Sequence, residues 1–328
     1  MMRESIEAFA SQFSFIPEII RDDNEGTPAR VVVGGMGGSH LATSVLKTLR
    51  PGIDLYVRRD YGLPPYDDDF MRDALLIASS YSGNTEETLD FARSGLERGY
   101  RVAVVTTGGE LLRFAEENNL PTIVLPKGGI QPRMALGYFS LAIAKFIGDD
   151  SLIRELATEG SSMNASALED VGEEIARKLH GKIPLVYSSL DNLAIAHLWK
   201  IKFNETAKIP AFYNSFPELN HNEMTSFDAI DTTRGIIGTF AAIFVRDAED
   251  DPRIQARMDV CVQLYRERGV EVIEYIIAGD SSVERIFGTL LVADWSALYL
   301  SERYGTESNE VPMVEDFKAR LRALFARD

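Results

Sequence analysis

Three hydroxyls crowd one short run of this chain, Ser79-Ser80-Tyr81-Ser82-Gly83-Asn84-Thr85-Glu86-Glu87-Thr88, in which Ser80, Ser82 and Thr85 lie within six residues. The apolar segment Ala74-Leu75-Leu76-Ile77-Ala78 before it reads as a buried strand, and Leu89-Asp90-Phe91-Ala92-Arg93 after it opens a helical pattern. A helix N-terminus exposes unpaired N–H groups and a partial positive charge, so an anion can bind there without a lysine. Hydroxyl donors at the same spot make a phosphate cradle, though not a Walker loop, because no Gly-Lys-Ser/Thr follows. The competing reading is helix capping: Glu87 stands three residues after Asn84 as in a capping box, and Glu86 and Glu87 suit the helix dipole. One cap does not need three hydroxyls, and loops at strand ends are where open α/β sheets bind ligands, so phosphate binding is the expectation.

A second turn, Gly34-Gly35-Met36-Gly37-Gly38-Ser39-His40, closes an earlier strand and opens a helix. Its glycines, Gly38 among them, let a ligand approach the backbone, and Ser39 can donate to it. As a nucleotide fingerprint it is weak, since the acidic residue that would hold a ribose is ambiguous between Asp54 and Asp60. Gln131-Pro132-Arg133 precedes an apolar helix. Pro suits a first helical turn, whereas Arg133 there opposes the dipole, so it is either a surface arginine or a cation placed against an oxyanion.

Asn204-Glu205 ends a helical pattern, and Pro217-Glu218-Leu219-Asn220-His221-Asn222-Glu223 packs carboxylates, amides and one histidine into a polar loop. Loops on rigid scaffolds often carry catalytic groups, and imidazole is the side chain best suited to proton transfer near neutral pH; a structural histidine is the alternative at His221. The histidines His40, His180, His197 and His221 are dispersed, and neither His-x-x-x-His nor Cys-x-x-Cys spacing occurs. No Gly-x-Ser-x-Gly elbow occurs either. Metal catalysis is not expected.

The elements that would position these groups alternate along the chain. Strand-length apolar runs at 30–34, 53–58, 74–79, 102–106 and 122–125 are separated or followed by helical patterns near 39–49, 85–98, 110–118 and 132–147. That alternation implies a parallel sheet covered on both faces. After a polar break at Gly148-Asp149-Asp150 and a linking helix or helix pair over 151–178, the theme repeats. Strands are expected at 184–188, 235–245 and 271–277, with helices at 192–207, 253–268, 281–303 and 312–326. The acidic stretch from Asp247 to Arg253 reads as a solvated loop and helix start. Two domains, 1–150 and 151–328, are expected.

A formal net charge of −16 argues against nucleic acid and anionic membrane surfaces as partners, because both require clustered Lys and Arg. The single cysteine, Cys261, excludes an internal disulfide and suits a reducing cytoplasm. No apolar run approaches the length of a membrane span, and the N-terminal residues lack the apolar core of a signal peptide.

Taken together, Gly34-Gly35-Met36-Gly37-Gly38-Ser39, Ser80 to Thr88, Gln131-Pro132-Arg133, Asn204-Glu205 and Pro217 to Glu223 resemble, in order, the bifunctional phosphoglucose/phosphomannose isomerase family of the SIS-domain superfamily. A weaker echo lies at Phe317-Lys318-Ala319-Arg320-Leu321. The serine-rich loop is specific to SIS domains; the Pro217–Glu223 segment with a Glu sixteen residues before its His is specific to the isomerases. The resemblance implies an α/β fold of two SIS domains, each a parallel sheet flanked by helices, in a homodimer.

It also implies roles. Gly38, Ser39, Ser80, Ser82 and Thr85 hold the phosphate of a sugar; Glu205 moves a proton between C2 and C1 through a cis-enediol; Arg133 stabilises the charge on that intermediate. His221 opens the sugar ring from the other subunit, and Lys318 assists near the ring oxygen. Two positions depart from the family. Ser39-His40-Leu41 stands where Ser-Gly-Ile is usual, with the His40 imidazole expected to point away from substrate, and Val311 stands where a threonine often precedes the lysine by seven residues. The rival readings are an isomerase of another phosphosugar and a non-catalytic sugar-phosphate sensor.

Overall fold

The structure, a computed structural model, describes residues 1–21 and 26–325. Its strands are β1 (Arg30–Gly34), β2 (Leu55–Arg58), β3 (Ala74–Ser80), β4 (Arg101–Thr106), β5 (Thr122–Val124), β6 (Ile183–Ser189), β7 (Phe212–Phe216), β8 (Phe240–Arg246) and β9 (Glu271–Ile276). The first half carries helices α1 (Met2–Glu7), α2 (Gly38–Leu49), α3 (Asp68–Arg72), α4 (Glu86–Glu97), α5 (Gly109–Glu117) and α6 (Leu136–Ile147). The second carries α7 (Asp150–Ser161), α8 (Glu169–Leu179), α9 (Leu193–Lys202), α10 (Arg234–Ile237), α11 (Pro252–Glu267), α12 (Ser282–Tyr304) and α13 (Pro312–Phe325).

Two all-parallel sheets result, in the orders β2-β1-β3-β4-β5 and β7-β6-β8-β9. The chain leaves β1 for β2 on one side and returns to β3 on the other. The carboxyl ends of β1 and β3 therefore part and open a crevice, the usual ligand position in such sheets. The second sheet has the matching switch point between β6 and β8. Both central strands of the first crevice are buried almost throughout, as expected of strands covered on two faces.

The halves share one core. Phe9 and Phe13, near the N-terminus, pack on Phe287 of α12, with the Phe13 and Phe287 rings edge-on at 5.0 Å. The twenty-three-residue α12 is the spine of this interface, and its buried run includes Leu290, Leu291, Val292, Ala293 and Trp295. In that apolar run sits one charge, Asp294, paired to Lys202 of α9 at 2.6 Å with both side chains 2% exposed. Burial pushes the Asp294 carboxyl up, and Lys202 and then Arg133 pull it back down.

Several expectations shift on folding. The strand expected at 235–245 is a helical turn, α10, followed by β8 from Phe240. The partner β6 starts at Ile183, which pairs with Phe240, so Gly235–Thr239 have no ladder to join and the Thr233 carbonyl closes a turn by accepting from Ile236 and Ile237. The edge strand β7 was not expected, because Phe212-Tyr213-Asn214-Ser215-Phe216 has no apolar run and pairs only with β6. The helix expected at 192–207 ends as α9 at Lys202 and continues as a π-helical turn, Phe203–Ala207. The linking region is a helix pair, α7 and α8, and the expected end of the last helix at 326 lies outside the described residues.

Breaking the buried pair leaves an uncompensated charge. Asp294→Asn is expected to lower unfolding stability by about 3–5 kcal/mol, read from urea denaturation.

Candidate active site

The serine-rich loop leaves β3 at its carboxyl end, and its side chains do not do what capping would require. Thr85 is the N-cap of α4 but makes no side-chain cap bond. Its Oγ1 lies 2.8 Å from Ser80 Oγ, and Ser80 Oγ accepts from Gly83 N at 3.1 Å. Asn84 likewise forms no capping box: its Oδ1 accepts from Glu110 N of α5, while its own N–H donates to Ser82 Oγ. Ser82 faces solvent at the rim. The loop is clamped from behind at Gly83, whose φ is 68° and where a Cβ would stand 1.7 Å from Gly108 O. Only glycine fits there, and the α4 N-terminus is left open to the crevice.

The glycine-rich turn after β1 closes the other side of the same crevice. Ser39 Oγ accepts from Tyr81 N at 2.9 Å, and Ser79 Oγ donates to Ser39 O at 2.8 Å, which stitches the two loops together. At Gly38 a Cβ would lie 2.4 Å from Pro132 C and 2.5 Å from Arg133 N, so the third segment, Gln131-Pro132-Arg133, rests directly on this turn. Gly38, Ser39, Ser80, Ser82 and Thr85 thus share one site, adjoining the segment that carries Arg133.

Arg133 is no surface arginine; it is 1% exposed. Its Nε donates to Thr206 Oγ1 at 3.1 Å, Nη1 to Glu205 Oε2 at 3.4 Å, and Nη2 to the carbonyls of Ser308 at 2.8 Å and Asn309 at 3.1 Å. Burial pushes its pKa down, which Glu205 and Asp294 oppose, yet a guanidinium remains charged in proteins. Four of its five N–H groups are committed, and one Nη1 N–H remains. The Glu205 side chain, by contrast, is 34% exposed. The π turn that carries Glu205 and Thr206 is a feature that concentrates at functional sites, because an extra residue in the turn re-aims the side chains around it.

The other two expected residues stand elsewhere on the chain. His221 ends a short 3₁₀ turn, Glu218–His221, and is exposed. Lys318 lies on α13, ion-paired to Glu315 at 2.8 Å in solvent. Among the described residues neither makes a hydrogen bond or ion pair to Glu205 or Arg133. Val311 immediately precedes α13, beside Glu310, whose carbonyl accepts from Lys208 Nζ. The His40 ring faces His197 of α9 at 6.3 Å across the interface of the halves, and His197 stacks on Tyr213. Burial first, then the Arg59 charge, holds both imidazoles down at about 4.

Sequence reasoning missed Thr206 and the strap at 306–310, which reach Arg133 through contacts distant in sequence, and Lys208, which donates to the Glu205 carbonyl three residues before it. It also missed Lys127, whose Nζ lies 3.3 Å from the place a Cβ would take on Gly108. A usable signal existed for Lys202 and Asp294, since each is a charge inside an apolar helical run.

The second sheet's crevice is built of opposite chemistry. Asp191, Asp247, Glu249 and Asp250 line a cavity of about 520 Å3 with Arg285 and Lys47. Asp247 and Glu249 both hold Arg285, and burial pushes the Asp250 carboxyl up. The carboxylates there outnumber the cations Arg285 and Lys47 and disfavour an anion.

Two parallel sheets with a hydroxyl-lined crevice at the first switch point define a double SIS-domain protein. The model of the bacterial phospho-glucose isomerase C-terminal SIS domain matches residues 168–321. The bifunctional phosphoglucose/phosphomannose isomerase of Aquifex aeolicus is 33% identical over 97% of this chain and 97% of its own length. A D-glucosamine-6-phosphate 4-epimerase of Sulfolobus acidocaldarius is 32% identical over 66% of this chain and 70% of its own. Among solved structures, the hypothetical protein TT0462 of Thermus thermophilus superposes with a TM-score of 0.70 at 18% identity, covering 99% of this chain and 89% of that one. The chain belongs to the bifunctional phosphoglucose/phosphomannose isomerase family.

A histidine held neutral in the fold but free to charge when unfolded favours folding above about pH 6.5 and loses that contribution as pH falls toward about 4. The His40→Gln variant is therefore expected to lose less melting temperature than the wild type between those two pH values, measured by calorimetry across a pH series.

Proposed function

We propose that the protein is an aldose–ketose isomerase that interconverts glucose 6-phosphate and mannose 6-phosphate with fructose 6-phosphate, without a metal, through a cis-enediol. The observation that carries this reading is the open Glu205 carboxylate 3.4 Å from the buried Arg133 guanidinium, adjacent to a phosphate-shaped crevice. A sensor would need the crevice and would have no use for the pair.

In this reading the phosphate sits on the Ser39, Ser80, Ser82 and Thr85 hydroxyls and the open first turn of α4, with the Gly38 backbone alongside. The Glu205 carboxylate takes the proton from C2 of the open-chain aldose. The C1 carbonyl oxygen gains negative charge as the enediol forms, and the remaining Arg133 N–H bonds to it. Glu205 then returns the proton to C1 while the C2 hydroxyl passes its proton to the C1 oxygen, so that C2 becomes the ketose carbonyl and C1 carries a hydroxyl. The reverse path forms the aldose, and the epimer is set by the face of C2 that meets Glu205. Val311, next to the strap, bounds the room for that choice.

Ring opening calls for an acid–base group at the ring oxygen, and we assign it to His221 supplied across a dimer interface, with Lys318 assisting near the ring oxygen. Their exposure supports this, as does the apolar face of α13, where Met313 is 85% and Phe317 62% exposed. A second copy of this chain would cover that face. We further assign residues 1–150 and 151–328 to the two SIS domains and the protein to the cytoplasm. Among the described residues no helix is long and apolar enough to cross a membrane.

Fructose 6-phosphate supplied with a chelator should yield both glucose 6-phosphate and mannose 6-phosphate. No turnover, with 4-epimerisation of glucosamine 6-phosphate instead, would overturn the reading in favour of the activity named for the Sulfolobus relative. Glu205→Gln should lower kcat by about 10²–10⁴-fold while leaving sugar-phosphate affinity near wild type by calorimetry, because it removes the base and not the cradle. Ser82→Ala should weaken that affinity by about 1–2 kcal/mol, the scale of one hydrogen bond to a charged group.

A further inference from the structure

Lys208 follows the π turn and, among the described residues, joins the base-bearing backbone to the C-terminal strap through a charged group. Its backbone is left-handed, with φ 60° and ψ 35°, and its N–H closes the turn onto Phe203 O. A lysine at such a position stores strain that a glycine would not. The side chain gives the strain a use. Its Nζ donates to the carbonyl of Glu205 and to that of Glu310, which are 105 residues apart in sequence.

The strap between α12 and α13 is fastened at both ends by this short region and between them by Arg133. Thr306 Oγ1 donates to Ala207 O at 3.2 Å, Arg133 holds the carbonyls of Ser308 and Asn309, and Lys208 holds Glu310. Beyond Glu310 come Val311 and then α13 with Lys318. Burial, followed by the Arg133 charge, pulls the Lys208 ammonium's pKa down, whereas Glu205 and Glu307 hold it up. Two of its three N–H groups are committed to carbonyls, so it is oriented along the backbone and not toward the crevice.

We propose that Lys208 is a positioning residue that locks the Glu205-bearing turn to the start of α13, so that the carboxylate that moves the proton and the helix that carries Lys318 keep a fixed relation. This rests on the proposed isomerase reading for its catalytic consequence, though the clamp itself can be measured without substrate. A small misplacement of a base is expensive, because proton transfer demands a near-attack geometry.

The test uses Lys208→Gly, which suits the left-handed backbone and removes the whole side chain with its ammonium, with Lys208→Arg as the conservative partner. Amide hydrogen exchange on the unliganded protein should quicken at 306–317 in Lys208→Gly and stay near wild type in Lys208→Arg. Lys208→Gly should keep a melting temperature at or above wild type, lose about tenfold or more in kcat on fructose 6-phosphate, and change KM little. Lys208→Arg should restore most of that loss. Unchanged exchange at 306–317 overturns the clamp whether or not the protein isomerises any sugar. Quickened exchange with kcat kept within about threefold of wild type overturns the link to Glu205. A wild-type protein without turnover refutes the isomerase reading, and the exchange result still decides the clamp.

Discussion

A guanidinium shut away from water must place its N–H groups on protein acceptors, and where Arg133 places them fixes most of the site. Its acceptors come from the π turn and from the strap before α13, while its own backbone lies on the glycine-rich turn. Removing water from this group costs several kcal/mol, and only a full set of partners with a nearby carboxylate offsets that. The halves are therefore tied together at the point where the proposed chemistry needs them in register. The same burial leaves one Nη1 donor uncommitted and keeps Glu205 ionically matched while its carboxylate stays partly exposed.

A second polar pair stands behind the first. Lys202 and Asp294 are buried beneath the π turn, and the Asp294 field reaches Arg133. A lone buried charge on an apolar helix is costly; as a pair it joins α9 to α12 directly before the π turn. Positive charge collects around Glu205 in a protein whose net charge is −16. Local donors and not the overall field must therefore attract an anionic substrate.

The two sheets show how one architecture supports different chemistry. Each has a switch point, but hydroxyls and an open helix N-terminus furnish the first, whereas carboxylates paired to Arg285 furnish the second. The second sheet contributes instead through what hangs from its helices and loops: Glu205 and Thr206 after α9, and His221 after β7. In the proposed reading the site is composite, with the phosphate held by one half and the base, Glu205, supplied by the other.

The parallel sheets were legible in the sequence because buried strands are written as apolar runs and their crossovers as periodic helices. The hydroxyl-lined crevice was legible because hydroxyls and glycines in a strand-to-helix turn have few other uses. Glu205, Arg133 and His221 were marked by residue type and by the family's spacing, not by periodicity. Other features were invisible: the edge strand β7, the helical turn at α10 and the π turn each depend on which neighbour supplies or withholds a hydrogen-bond partner. Whether Arg133 faces solvent or is buried was undecidable from its neighbours in the chain, since its partners Thr206, Ser308 and Asn309 are brought to it only by packing. The amino-acid sequence alone determined the class of fold and the chemical groups available. The tertiary structure decided which of those groups meet, because burial, charge pairing and backbone satisfaction are properties of contacts made across the whole chain.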